Sequence, residues 1–265
     1  MRWFEIALVS LTAITAIFWT LDRFWLKKRR AESGLLGEEN LPWYIDYSNA
    51  FFPILLAILI LRSFIAEPFR IPTGSMIPTL KIGDFILVNK FAYGLRLPVT
   101  HTKILALGEP ARGDVVVFRY PGMGADDPDA GIDFVKRVVG LPGDTVRYER
   151  GVLSINGQPL EYQPQGDVQI RAGDSGPLMG GKLMLEQLGQ AVHQVQNFDI
   201  SLERGGMGDG EFVVPAGHYL MMGDNRDNSL DGRFWGFLPE ENLRGKAFLV
   251  WMNFSDLSRI GEKIR

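Results

Sequence analysis

Residues 63–80 read SFIAEPFRIPTGSMIPTL, and at this stretch an apolar run gives way to a loop fenced by Pro68, Pro72 and Pro78. Proline fixes φ and carries no N–H, so three of them in eleven residues exclude a helix or a central strand. Between the second and third lies Thr73-Gly74-Ser75. Gly74 is expected to adopt a backbone conformation closed to other residues and so present a neighbouring hydroxyl outward. An ordinary turn serine is the plain reading of Ser75, and the rest of the chain decides against or for it.

On the N-terminal side, Trp3 to Leu21 is apolar apart from Glu5 and a few hydroxyls. As a helix this run is roughly 28 Å long, enough to cross a bilayer core. The basic cluster Arg23, Lys27, Lys28, Arg29 and Arg30 follows the run, with Arg2 alone before it. A cleaved signal peptide has the opposite charge order and a small-residue cleavage site, so a retained span over residues 1–21 is expected. The basic excess assigns the loop 22–46 to the cytoplasm. A second apolar run at 47–66 has fifteen uncharged residues between Asp46 and Arg62, short for a span but flanked by Trp43, Tyr44, Phe51 and Phe52. Two spans return the chain to the outside, so residues 67–265 are expected to form an extracytoplasmic domain near the lipid, with apolar residues from Phe64 to Phe69 at the junction.

That domain reads as mainly β. Gly-Asp precedes a β-branched run at Gly83-Asp84 (FILV), Gly113-Asp114 (VVVF) and Gly143-Asp144 (TVRY), a turn followed by a strand. The equal spacing of the pairs does not extend to the residues between them, so no repeat is expected. Further strands are predicted at 133–139, 152–155, 212–214, 218–222 and 246–254. Residues 158–210, rich in Gly and Gln with weak periodicity, read as an inserted, looser subdomain of unassigned role.

Composition removes several chemistries. The formal net charge is −3 and no dense basic run follows residue 30, which argues against nucleic acid. There is no cysteine, so disulfides, thiolate zinc sites and thiol nucleophiles are impossible. His101, His193 and His218 stand at no metal-ligand spacing and read as structural or surface residues. Gly173-Asp174-Ser175-Gly176-Pro177 resembles a protease nucleophile loop but lacks a glycine of that motif, and reads as a turn. The acidic stretch 224–231 fails as a calcium loop, because Leu230 falls where the glycine belongs.

A serine hydroxyl needs a base to become a nucleophile, and histidine is not the only choice. In Asp133-Phe134-Val135-Lys136-Arg137-Val138-Val139, period-two alternation sets Lys136 on the face of Phe134 and Val138. Burial among apolar neighbours lowers an ammonium pKa and frees the neutral amine as a base; the plainer alternative is a lysine that snorkels or pairs with a carboxylate. A third block, MMGDNRDNSLDGRFWG at 221–236, is a strand end entering a loop of short polar residues. Asp231 and Arg233 are expected to pair across it, and Ser229 to supply an orienting hydroxyl.

Together these blocks resemble bacterial type I signal peptidases (leader peptidases) in their two-span form. The resemblance rests on SFIAEPFRIPTGSMIPTLKIGDFILVNKFAYG, RGDVVVFRYP, DFVKRVVGLPGD and GHYLMMGDNRDNSLDGRFWGFLPEENLRGKA, which occur in the family's order. It covers the anchors and about half of the outer domain, and nothing between Gln158 and Gly210. It implies a signal-peptidase-like β fold and a Ser/Lys dyad, with Ser75 as nucleophile and Lys136 as general base. The implied oxyanion hole uses the Ser75 N–H and the hydroxyl of Thr73, where many relatives have serine. Ser229 matches the serine that hydrogen-bonds the lysine, and Asp231 with Arg233 the supporting ion pair. The implied substrates are secretory preproteins with small residues before the cut, processed at an inner-membrane surface in contact with lipid, without metal or cofactor and without an obligate protein partner. A non-catalytic, membrane-anchored β-module that binds a partner is the competing reading: it explains spans and strands, but not the three blocks together.

Overall fold

The structure is a computed structural model that describes residues 2–32, 41–97, 102–124, 126–173, 175–206 and 208–265; His101 and Asp174 lie outside them, as do the side chains of residues 64–66. The chain divides into two compact units, one formed by Met1–Glu67 with Leu95–Leu105 and the other by Pro68–Gly94 with Ala106–Arg265.

The first unit is built on two helices. Arg2–Leu21 continues through one π-helical stretch, Asp22–Leu26, into Lys27–Glu32. The basic segment thus starts as helix rather than loop, as expected of Lys and Arg, which are good helix formers with no Gly or Pro among them to stop the run. The second helix, Trp43–Ile60, begins on Pro42 and passes into a π-helical stretch at Leu61–Ile65. Trp3–Arg30 and Trp43–Ser63 are both long and apolar enough to cross a membrane. They pack through aromatic pairs, Phe18 with Tyr44 at 5.2 Å and Trp19 with Phe52 at 5.1 Å. Asn49 Nδ2 donates to Asp22 Oδ2 at 3.3 Å, and Asp22 also pairs with Arg30.

The second unit is the β-rich domain. Its largest sheet has seven strands in the order Ala66–Arg70, Phe85–Asn89, Leu243–Met252, Val115–Arg119, Asp133–Gly140, His218–Met222 and Leu238–Pro239. Pro68 lies in the edge strand, where a missing N–H costs no ladder bond. Phe69 of that strand is buried in the domain core with Ile71, Met76 and Leu80, so it is a packing residue and not part of an exposed apolar junction. The run VVVF is buried on both sides of the sheet: Val115 and Val117 join the core around Ile86 and Val250, Val116 and Phe118 the core around Tyr219 and Leu243. This explains a near-continuous apolar strand where alternation would mark a one-sided one.

The three Gly-Asp turns are alike beyond their sequence signature. Gly83, Gly113 and Gly143 have φ of 91°, 93° and 88°, the left-handed third position of a type II turn. In each, the Asp N–H bonds the carbonyl three residues back, and the Asp carboxylate accepts the N–H of that same residue: Lys81, Ala111 and Leu141. Each turn also docks by the same pair of bonds. Ile71, Val138 and Val214 donate to the Asp carbonyl and accept from the Gly N–H, at 2.8–2.9 Å. The spacing expected to be accidental therefore marks one turn used three times, with repetition confined to the turn and invisible in the strands.

A second sheet runs Gly210–Val213, Thr145–Glu149, Val152–Ile155, Gln158–Pro159. The inserted region is not loose. Glu161–Arg171, Leu178–Leu188 and Ala191–Phe198 form a regular antiparallel sheet with one register shift at Pro164/Gly166. Its signal is weak because Glu161–Arg171 is mostly exposed and Leu178–Leu188 buries polar Glu186 beside Leu188, so polar residues interrupt the alternation that would mark buried strands.

Candidate active site

The loop from Ile71 to Asp84 is closed at its neck by the Ile71–Asp84 bond pair and anchored inside by Met76 and Leu80, both fully buried. Leu80 N–H bonds Met76 O at 2.9 Å and Ile77 N–H bonds Gly74 O at 3.2 Å, so the Thr73–Leu80 segment is a pinned turn. Arg259 fixes it further, donating to the Asp84 carboxylate at 2.7 and 2.8 Å and to Thr79 O at 3.0 Å. Gly74 has no positive φ, contrary to expectation. A side chain there would instead press on Ile77 Cδ1, 3.1 Å from the Cβ position.

Lys136 reaches this loop from the sheet. Val116 is its cross-strand partner, Phe134 two residues earlier holds its ring 5.6 Å from Nζ, and the residue is 4 % exposed. Nζ lies 2.6 Å from Ser75 Oγ, a hydrogen bond between residues 61 apart in sequence. Burial pushes the Lys136 ammonium down to about 8; Asp231 and Asp224 oppose the fall and Arg233 adds to it. A hydroxyl at hydrogen-bond distance from an amine that is partly neutral near pH 7 is a nucleophile–base pair. Ser75 is 9 % exposed, buried yet at the surface of the loop.

The polar loop after Met222 wraps the other side of Ser75. Asn225 N–H donates to Ser75 O at 3.1 Å and Asn225 Nδ2 to Gly74 O at 2.9 Å. This approach requires Gly223: a Cβ there would overlap Ser229 Oγ and stand 2.5 Å from Ser75 O. Asp231 and Arg233 pair as anticipated, Nε to Oδ1 at 2.8 Å and Nη2 to Oδ2 at 2.9 Å, with both side chains fully buried. Asp231 Oδ2 also accepts Gly223 N–H at 2.9 Å, and Arg233 donates to Arg226 O, so the pair fixes both ends of the loop. Burial alone would raise the Asp231 carboxyl, but Arg233 outweighs it and holds the group below the usual carboxylate range.

Two residues implied by the resemblance stand differently. Ser229 Oγ is buried beside Gly223 and has no hydrogen-bond partner among the described residues, so the bond to Lys136 is not formed here. Thr73 is exposed, and among the described residues neither its hydroxyl nor the Ser75 N–H is engaged in a hydrogen bond. Both donors are thus uncommitted.

Sequence reasoning missed a second buried ion pair beneath the loop. Arg137, the residue after Lys136 and fully buried, grips Asp224 with Nε to Oδ1 at 2.8 Å and Nη2 to Oδ2 at 2.7 Å, and donates to Gly113 O at 2.6 Å. Thr79 of the Ser75 loop donates to the same carboxylate. Burial would raise Asp224, yet Arg137 holds it low. His193, read from sequence as structural or surface, is buried in this network with Glu186 and Arg226. The stretch Gly173–Pro177, read from sequence as a turn, includes Asp174 and so lies partly outside the described residues; across it Ala172 N–H bonds Pro177 O and Gly176 N–H bonds Ala172 O. No cluster of metal-ligating side chains occurs among the described residues.

Comparison with known proteins gives the family of the chain. Residues 44–252 match the family model described as signal peptidase, peptidase S26. The chain is 48 % identical over 230 residues to signal peptidase I of Pseudomonas aeruginosa, covering 81 % of this chain and 75 % of that one. It is 42 % identical over 278 residues to signal peptidase I of Pseudomonas fluorescens, covering 96 % and 93 %. To the Haemophilus influenzae protein of the same name it is 36 % identical, covering 94 % and 86 %. A family model spanning most of the chain, and relatives matched over nearly their whole length, mean that this chain belongs to the signal peptidase family, peptidase S26.

Proposed function

We propose that this protein is a membrane-anchored serine endopeptidase that removes signal peptides from exported preproteins by Ser/Lys-dyad acyl transfer. The observation that carries the reading is the 2.6 Å contact between Lys136 Nζ and Ser75 Oγ, both buried, with the burial lowering the amine pKa. Neutral Lys136 takes the Ser75 proton as Oγ attacks the scissile carbonyl. The Ser75 N–H and Thr73 Oγ1 stabilise the developing oxyanion, for which both are uncommitted. The new amine leaves with a proton from Lys136, and water activated by the same amine hydrolyses the ester. Asp231 with Arg233 keeps the supporting loop in shape, and Ser229, with its hydroxyl unused in the free protein, orients Lys136 once substrate is bound.

Preproteins with small residues one and three positions before the cut are the substrates implied by the family resemblance. The basic segment after the first helix supports a cytoplasmic loop at 22–46 between spans at 1–21 and 47–66, with the catalytic domain, 67–265, on the extracytoplasmic side of the inner membrane. No cofactor, metal or obligate partner enters the mechanism. A non-catalytic binding module would leave the buried dyad and its low amine pKa without purpose. The test is mass-spectrometric detection of preprotein cleavage in detergent. Wild type cleaves; folded Ser75→Ala and Lys136→Ala do not, and processing by either removes the dyad.

A further inference from the structure

The inserted sheet contacts the first half of the Ser75-supporting loop, Asp224 to Asn228. From that sheet, Gln196 N–H donates to Asp224 O at 3.0 Å and Phe198 N–H to Asp227 Oδ2 at 2.7 Å. Asn228 bonds the hairpin turn at Gly173 N and Arg171 O, at 2.9 and 2.7 Å. At the centre is a buried ionic cluster. Glu186 Oε1 meets Arg226 Nη2 at 2.5 Å, and Tyr162 OH donates to Glu186 Oε2 at 2.7 Å. His193 Nε2 lies 3.3 Å from Glu186 Oε1 and 3.7 Å from Asp224 Oδ1, without a well-directed hydrogen bond to either. Glu186 and His193 are both buried.

We propose that Glu186 and His193 are positioning residues for the nucleophile, which makes the inserted sheet part of the catalytic apparatus. The chain of contact is short. Glu186 holds Arg226, His193 faces Asp224, and between them Asn225 carries Ser75 and Gly74 on its N–H groups. Asp224 also takes Arg137, the neighbour of Lys136 on its strand. Nucleophile and base are therefore both referred to one carboxylate that the insertion steadies. A shift of the 224–226 backbone moves Ser75 relative to Lys136 Nζ, and catalysis is sensitive to such shifts, on the order of 100-fold per ångström in severe cases. The shift acts on the placing of nucleophile against base, so the effect falls on turnover.

This inference rests on the proposed peptidase reading. The experiment measures preprotein cleavage in detergent by the full-length protein, with rates normalised to the active-site fraction from the acyl-enzyme burst. His193→Leu, similar in bulk but with no polar nitrogen beside the two carboxylates, is expected to lower kcat roughly tenfold or more with KM unchanged. His193→Gln, which returns a polar nitrogen to that place, is expected to recover most of it; a merely structural residue would lose melting temperature without this split. Glu186→Gln strands the buried Arg226 and risks unfolding, so the Glu186→Met/Arg226→Met pair, which removes both charges, is the second variant. It too is expected to lose kcat while folded. Unchanged kcat in both folded His193→Leu and folded Glu186→Met/Arg226→Met overturns the proposal. Failure of the wild type to cleave overturns the peptidase reading instead.

Discussion

Replacing Lys136 with methionine, and following the wild type across pH, tests the physical core of the account in two independent ways. Burial lowers the Lys136 pKa from 10.5 to about 8. At pH 7 the neutral fraction is then about one in ten, against about one in three thousand for an ordinary lysine, a gain of roughly 300-fold in usable base. Cleavage measured as kcat/KM on a preprotein in detergent is expected to rise about tenfold per pH unit below 8 and to level off above it. The same shift has a stability signature. Between about pH 8 and 10.5 the unfolded chain keeps this proton and the folded protein does not, so stability rises with pH across that window. Below pH 8 the cost of burying the ammonium is present in full, about 3 kcal/mol from the size of the shift. Lys136→Met, similar in length and uncharged, is expected to be more stable than wild type at pH 7 by up to about 3 kcal/mol, with the difference fading between about pH 8 and 10.5. Chemical denaturation at pH 7 and pH 10 reads it. An activity limb centred near 10, or an advantage of Lys136→Met over wild type no larger at pH 7 than at pH 10, refutes the reasoning.

Thr73→Val removes the hydroxyl while keeping the shape, and is expected to lower kcat by roughly 100-fold, about 3 kcal/mol of transition-state stabilisation, with unchanged melting temperature. Equal turnover takes Thr73 out of the oxyanion hole. Gly223→Ala forces a methyl against Ser229 Oγ and Ser75 O and is expected to cost about 1–3 kcal/mol by overpacking, with a larger proportional loss of kcat because the nucleophile loop must move. Arg137→Met leaves the Asp224 carboxylate buried without its main partner and is expected to destabilise by about 3–5 kcal/mol in denaturant titrations. Since Asp224 is held below the usual carboxylate range, the wild-type contribution is present above the unfolded pKa and fades as pH falls through the lower folded value. In Arg137→Met that acid-side dependence is expected to be lost.

The turns and strands were legible because their causes are local. Gly83, Gly113 and Gly143 supply a φ that the neighbouring residues avoid, and the β-branched runs behind them fit a pleated surface buried on one or both faces. Period-two alternation was enough to set Lys136 beside Phe134, and the low pKa followed from that company. Ser75, Lys136 and the Asp231–Arg233 pair came forward through motif context, and the geometry brings them together. What stayed hidden is partner choice at long range. An arginine and an aspartate 87 positions apart, as in Arg137 and Asp224, carry no local mark of their pairing, because attraction between buried charges depends on the fold that removes the water. The meeting of His193 with Glu186 and Asp224 is hidden for the same reason. The inserted sheet reads as a loose segment because its first strand is mostly exposed and its second buries a charged residue, Glu186, so apolar alternation does not mark it. Gly74 was credited with a conformation when its role is room beside Ile77.

The central claim is that Ser75 Oγ forms a covalent ester with the substrate. It is tested most directly by quenching a preprotein reaction in acid during the first turnover, digesting the protein and mapping the adduct by mass spectrometry. The account predicts the signal-peptide fragment linked to the peptide containing Ser75, and neither adduct nor cleavage in folded Ser75→Ala. An adduct on another residue, or processing of the preprotein by Ser75→Ala, would contradict it.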